Sequence, residues 1–85
     1  MSAPAEPRCV VLFASIHDVM RFEATLRENG RWCDLVPVPR ALSAECGMAL
    51  QVRAADLDAV RALATAHDAR ATGVFRETPD GYRPA

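Results

Sequence analysis

Residues 8–18, Arg8-Cys9-Val10-Val11-Leu12-Phe13-Ala14-Ser15-Ile16-His17-Asp18, read as a strand that passes at once into a helix. The run from Arg8 to Ala14 is almost continuously apolar, the pattern of a strand covered on both faces. Ser15 then offers a hydroxyl at a helix N-cap, with Asp18 three residues on in the manner of a capping box. Apolar residues at Ile16, Val19, Met20 and Leu26 keep helical spacing as far as Asn29, and Gly30 suits the C-cap. A strand this apolar belongs at the centre of a sheet.

The rest of the chain repeats the theme. Residues 31–36 form a second strand candidate, closed by Pro37, and 48–53 alternate as a third. A second helix is predicted from about Ala55 to His67, with Leu57, Val60 and Ala64 on one face and Asp56 favourably placed in its first turn. Thr72 to Thr78 is a fourth strand, Pro79-Asp80-Gly81 a turn, and the end is expected to fray. The order is βαββαβ. Right-handed crossovers then favour a ferredoxin-like α+β sandwich, a four-stranded antiparallel sheet with two helices on one face. The expected organisation is a flexible tail at 1–7, a single domain at 8–78 and a second tail at 79–85. In this topology the turn after strand one, the connection between strands two and three, and the turn after helix two share one end of the sheet. Ser15, His17 and Asp18 are therefore expected near residues 37–47, with His67 to Arg70 as neighbours.

Composition narrows the classes of function. A chain of 85 residues builds a thin core, and a homodimer is one way to cover it. Hydrophobic residues at 51% and charged ones at 25% indicate a globular chain and not a disordered one. All ten basic residues are arginine, they are scattered, and the net charge is −1, so neither nucleic acid nor a membrane surface is expected as partner. No apolar run approaches the ~20 residues of a membrane span. Met1 to Pro7 lacks the pattern of a signal peptide, and a cytoplasmic location is expected. The three cysteines, Cys9, Cys33 and Cys46, are far apart and form neither a Cys-x-x-Cys pair nor a zinc-type spacing with histidine. Reduced thiols are expected, with no metal and no cofactor.

The chemistry concentrates in Pro37-Val38-Pro39-Arg40-Ala41-Leu42-Ser43-Ala44-Glu45-Cys46-Gly47, which joins two strands where a tight turn would have been enough. Hairpin loops usually take about two to five residues, and longer structured ones tend to be functional. A cysteine nucleophile works as thiolate, and an ordinary thiol pKa of about 8.5 leaves little of it at neutral pH. Arg40 offers a cation that favours the anion, and Gly47 leaves the sulfur of Cys46 accessible. The alternative is a small buried cysteine in a turn and an exposed loop arginine. Cys9 and Cys33 fall in apolar strands and read as core thiols, with a resolving role as the alternative for Cys33. His17 reads as a proton shuttle beside the loop or as a solvated surface residue. His67 suits the C-terminal end of helix two. Glu23 falls inside the apolar arc of helix one, where it either partners Arg40 or reaches water.

These residues resemble a known family. Ser15-x-His17-Asp18, Glu23, Pro37-Val38-Pro39-Arg40-x-x-Ser43-x-x-Cys46-Gly47-x-Ala49-Leu50 and Gly73-Val74-Phe75-Arg76 are similar to the selenium/sulfur carrier-like family of small bacterial and archaeal domains. The resemblance spans residues 9 to about 77, and its most specific element is Pro-Arg-x-x-Ser-x-x-Cys-Gly. The Cys-Pro-x-Pro signature of the better-known sulfur-relay carriers is absent. The resemblance implies that Cys46 carries sulfur or selenium as a persulfide or selenosulfide, with Arg40, Ser43 and Gly47 as the surrounding motif. It implies relay between a desulfurase-type donor and an acceptor protein, not turnover of a small substrate. Two other readings stand beside it: a ferredoxin-like binding or regulatory module in which Cys46 is incidental, and a redox-sensing thiol.

Overall fold

The computed structural model describes residues 7–42 and 47–85. Its elements are β1 (Arg8–Phe13), α1 (Ile16–Glu28), β2 (Cys33–Pro37), β3 (Met48–Arg53), a 3-10 turn (Ala54–Asp56), α2 (Leu57–Ala66), β4 (Ala71–Thr78) and β5 (Gly81–Pro84). The sheet order is β2-β3-β1-β4-β5 and every pairing is antiparallel. β1 lies at the centre, as its apolar run predicts, and its residues from Cys9 to Phe13 are all buried.

Alternation along β1 feeds two separate clusters, which explains why the run is apolar throughout. Cys9, Val11 and Phe13 face Val19, Phe22 and Leu26 of α1 and Val60 of α2, together with Leu50, Val52 and Cys33 from neighbouring strands. Both helices thus pack on one face. Val10 and Leu12 point the other way with Ala49, and Val36, Val38, Leu42, Phe75 and Tyr82 pack against them.

The four-strand expectation needs one correction. The stretch read as a turn and a fraying end is a hairpin. Gly81, at φ +138°, completes the turn, and β5 pairs back on β4 from Thr78↔Gly81 to Phe75↔Pro84. Ala85 N–H donates to Val74 O at 2.9 Å, and Arg61 Nη2 donates to Ala85 O at 2.9 Å. Arg83 and Pro84 conceal the strand in the sequence, but β5 is an edge, where a proline without an N–H is tolerated. Tyr82 contributes the apolar contact that holds it to the helix-free face.

Both helices end in the same backbone motif. Beyond α1, Arg31 N–H donates to Leu26 O at 2.9 Å and Gly30 N–H to Arg27 O at 3.1 Å, with Gly30 left-handed at φ +69°. Beyond α2, Ala69 N–H donates to Ala64 O at 2.8 Å and Asp68 N–H to Thr65 O at 3.3 Å, but the left-handed residue, at φ 54°, is Asp68. An L-residue in that region is strained, and a carboxylate at the negative end of the helix is unfavourable as well. Asp68→Gly is therefore expected to stabilise the chain by about 1 kcal/mol, which corresponds to a rise in Tm of roughly 4–8 °C for a domain of this size. Thermal melting followed by circular dichroism checks this, and a fall in Tm would contradict the capping account.

Candidate functional site

The connection between β2 and β3 begins and ends on the hairpin ladder. Pro37 faces Met48, and beyond that pair Val38 N–H donates to Gly47 O at 3.0 Å, forming a neck. After the neck, Leu42 N–H donates to Pro39 O at 3.0 Å and closes a turn with Arg40 and Ala41 at its centre. Val38 and Leu42 anchor this turn on the helix-free face, against the Val10, Leu12 and Ala49 cluster. Arg40 stands exposed between the two anchors. Gly47 has φ +77°, and among the described residues a Cβ placed there would meet nothing within 4 Å. A glycine thus suits the left-handed backbone at the neck. Ser43 and Cys46 lie outside the described residues.

The first turn of α1 is built around its cap. Asp18 N–H donates to Ser15 Oγ at 3.2 Å, Ser15 Oγ donates to Asp18 Oδ2 at 3.1 Å, and Arg21 Nη2 reaches Asp18 Oδ1 at 3.2 Å. Ser15 and Asp18 are engaged with each other, which makes them structural. His17, next to them, is exposed. Because Leu12 faces Ala49, the end of β1 and the start of β3 share one end of the sheet, as the topology predicts. The faces differ, however. α1 covers one face, and the described anchors of the loop, Val38 and Leu42, cover the other.

Glu23 resolves in favour of a local role. Its carboxylate meets Arg27 Nη2 at 3.4 Å, one turn along α1, so the reading of it as the partner of Arg40 gives way to an ion pair within the helix. His67 occupies the C-cap of α2, where a cation suits the helix dipole.

Cys9 and Cys33 are core thiols. Their exposures are 0% and 5%, and neither is in a disulfide. Both pair across Val52, one from each side, which sets them two strand spacings apart. That is about 9.6 Å, beyond the ~7 Å that a disulfide spans between Cα atoms. Cys33 Sγ points at Glu23 O at 3.9 Å. Burial pushes both thiols above their ordinary value of 9.0, opposed by Arg76 for Cys9 and by Arg27 for Cys33. The folded thiols hold their protons to a higher pH than the unfolded ones. Their contribution to stability is therefore complete below the ordinary value and is lost as pH rises through the folded one. The urea midpoint is expected to fall above pH 9.0. A Cys9→Ala/Cys33→Ala double variant, less stable throughout, should decline less over that range. Parallel pH profiles for the two proteins would contradict this.

The signals that sequence reasoning missed are Val38 and Leu42, which pin the loop, and Tyr82, which extends the face they cover. Apolar residues four apart inside a loop were the available sign. Among the described residues, no group of three or more His, Cys, Asp or Glu is arranged to hold a metal, and no helix is long and apolar enough to cross a membrane.

Comparison with known proteins adds one finding. The family described as "Putative Se/S carrier protein-like" matches residues 8–76, from the start of β1 into β4. Neither the curated proteins nor the solved structures give a match. The matched region takes in the central strand, both helices, the neck at Val38 and Gly47, and the whole segment between them, and on that ground the chain belongs to the Se/S carrier-like family.

Proposed function

We propose that this protein carries sulfur or selenium as a persulfide or selenosulfide on Cys46, and hands it to an acceptor protein. The observation that carries this reading is the burial of the other two cysteines. Cys9 and Cys33 are packed in the core with raised thiol pKa values, which leaves Cys46, in the connection between β2 and β3, as the thiol for transfer. Membership of the carrier-like family supports the same choice.

The transfer balances without an external oxidant. Cys46 thiolate attacks the terminal sulfur of a donor persulfide. The new bond joins Cys46 Sγ to that sulfur, the donor's sulfur–sulfur bond breaks, and the donor cysteine leaves as thiolate. The acceptor repeats the step on the loaded Cys46. A desulfurase-type enzyme suits the donor role. Arg40, exposed on the anchored turn, supplies positive charge for the thiolate and for the persulfide anion. Ser43 offers a hydroxyl donor within the same segment, Gly47 sets the backbone at the neck, and His17, at the same end of the sheet, is available to move a proton.

Incubation of the full chain with a cysteine desulfurase and cysteine, followed by intact mass, tests the reading. A gain of one sulfur supports it, and no gain from any persulfide or selenium donor overturns it. Arg40→Ala tests the electrostatic part. Its expected effect is an upward shift of the pH–rate profile for alkylation of Cys46, by less than about one pKa unit because the arginine is exposed. A profile that does not move would recast Arg40 as a docking residue.

A further inference from the structure

At the opposite end of the sheet from the neck lies a cavity of about 330 Å³, lined by Arg27, Gly30, Arg31, Trp32, Cys33 and Arg53. β3 separates the two ends. From Met48 to Arg53 it spans about 17 Å at the usual rise of a strand. The charged lining consists of three arginines from three elements: the last turn of α1, the segment that follows it, and the end of β3. No acidic side chain lines the cavity among the described residues. Arg27 contacts Glu23 at 3.4 Å and Arg31 contacts Asp56 at 3.2 Å, each through one guanidinium nitrogen. A guanidinium carries five N–H donors, so a single contact to a carboxylate leaves capacity for a second anion. The negative end of α1 is nearby, but the Arg31 and Gly30 N–H groups close onto the carbonyls of Leu26 and Arg27.

We infer that this cavity binds a small organic anion that bears a phosphate or carboxylate head on a planar ring. Arginine forks match the oxygens of either head. The indole of Trp32 offers a flat apolar surface to the ring. The volume is at the small end of the range for small-molecule sites, roughly 300–1,000 Å³. Cys33 adds no chemistry. Its thiol is buried and points at Glu23 O, so the cavity is a binding site and not a second reactive thiol.

Trp32 is the sole tryptophan, so its emission reports on the site directly. The full chain is titrated with adenosine monophosphate, benzoate and adenosine at low and moderate salt. The expected result is a saturable change with adenosine monophosphate or with benzoate, weakened by salt, and none with adenosine. Which of the two anions saturates identifies the head group. Arg27→Gln/Arg31→Gln keeps the tryptophan and removes two ion pairs whose arginines are exposed and whose carboxylates are partly buried, and circular dichroism verifies that it folds. It should bind about tenfold more weakly or worse. Cys46→Ser should bind as the wild type does. Three results overturn the inference: no saturation by either anion, equal affinity in the double arginine variant, or adenosine binding as well as its phosphate.

Discussion

Phe22→Ala is expected to remove a large share of the stability of this domain. Phe22 is 1% exposed and its ring lies 5.6 Å from that of Phe13, tilted at 55°, so it joins α1 to the central strand at the middle of the helix-side cluster. Truncating a buried phenylalanine costs about 3–5 kcal/mol through lost burial and the cavity left behind. A chain of this length has only about 4–13 kcal/mol in total. The urea midpoint should drop by about a quarter at least, or the transition should lose its cooperativity. Met20, on the same helix but 56% exposed, provides the control. Met20→Ala should move stability by no more than about 0.5 kcal/mol. Equal effects at the two positions would contradict the packing described above.

Cys46→Ser is expected to abolish sulfur loading and leave the fold intact. Serine keeps the size and polarity of the position, so circular dichroism and Tm should barely change. Loading is another matter. A serine hydroxyl does not ionise near neutral pH, and oxygen cannot hold a sulfane sulfur as a persulfide does. The two buried thiols should not compensate. Cys9 and Cys33 are enclosed in the helix-side core, and burial keeps their protons on. A Cys46→Ser protein that still gains sulfur would transfer the function to one of these residues, or to local opening of the core, and would end the present reading of the site.

The sequence reads most clearly where one local rule decides the outcome. The apolar run of Arg8 to Ala14 reads as a central strand, which the structure shows over Arg8–Phe13, and Ser15 with Asp18 marks the start of α1 where the cap is found. Gly30 ended that helix as its φ of +69° requires. β5 was not legible, because Arg83 and Pro84 argue against a strand and only pairing with β4 and the contact of Tyr82 favour one. Glu23 was ambiguous for a similar reason. Periodicity places it on the apolar arc, but the angle alone does not show that its carboxylate reaches Arg27. At the candidate site, the loop and its residue types were legible from length and composition. The fold-back of Val38 and Leu42 onto the helix-free face was not, since it depends on a second apolar cluster assembled from β1, β3, β4 and β5. From the sequence, Gly47 reads as a residue that leaves the sulfur of Cys46 accessible. Its left-handed backbone at the neck is a separate feature, which appears only once the ladder is drawn.

The central claim is that one cysteine of three carries the chalcogen, and mapping the loaded atom tests it most directly. The wild-type chain is loaded by a desulfurase with cysteine, its persulfide is capped by alkylation, and the digest is sequenced by tandem mass spectrometry. The account predicts one added sulfur, on the peptide that contains Cys46, with Cys9 and Cys33 recovered as unmodified thiols. Sulfur found on Cys9 or Cys33, or on no cysteine at all, would contradict it.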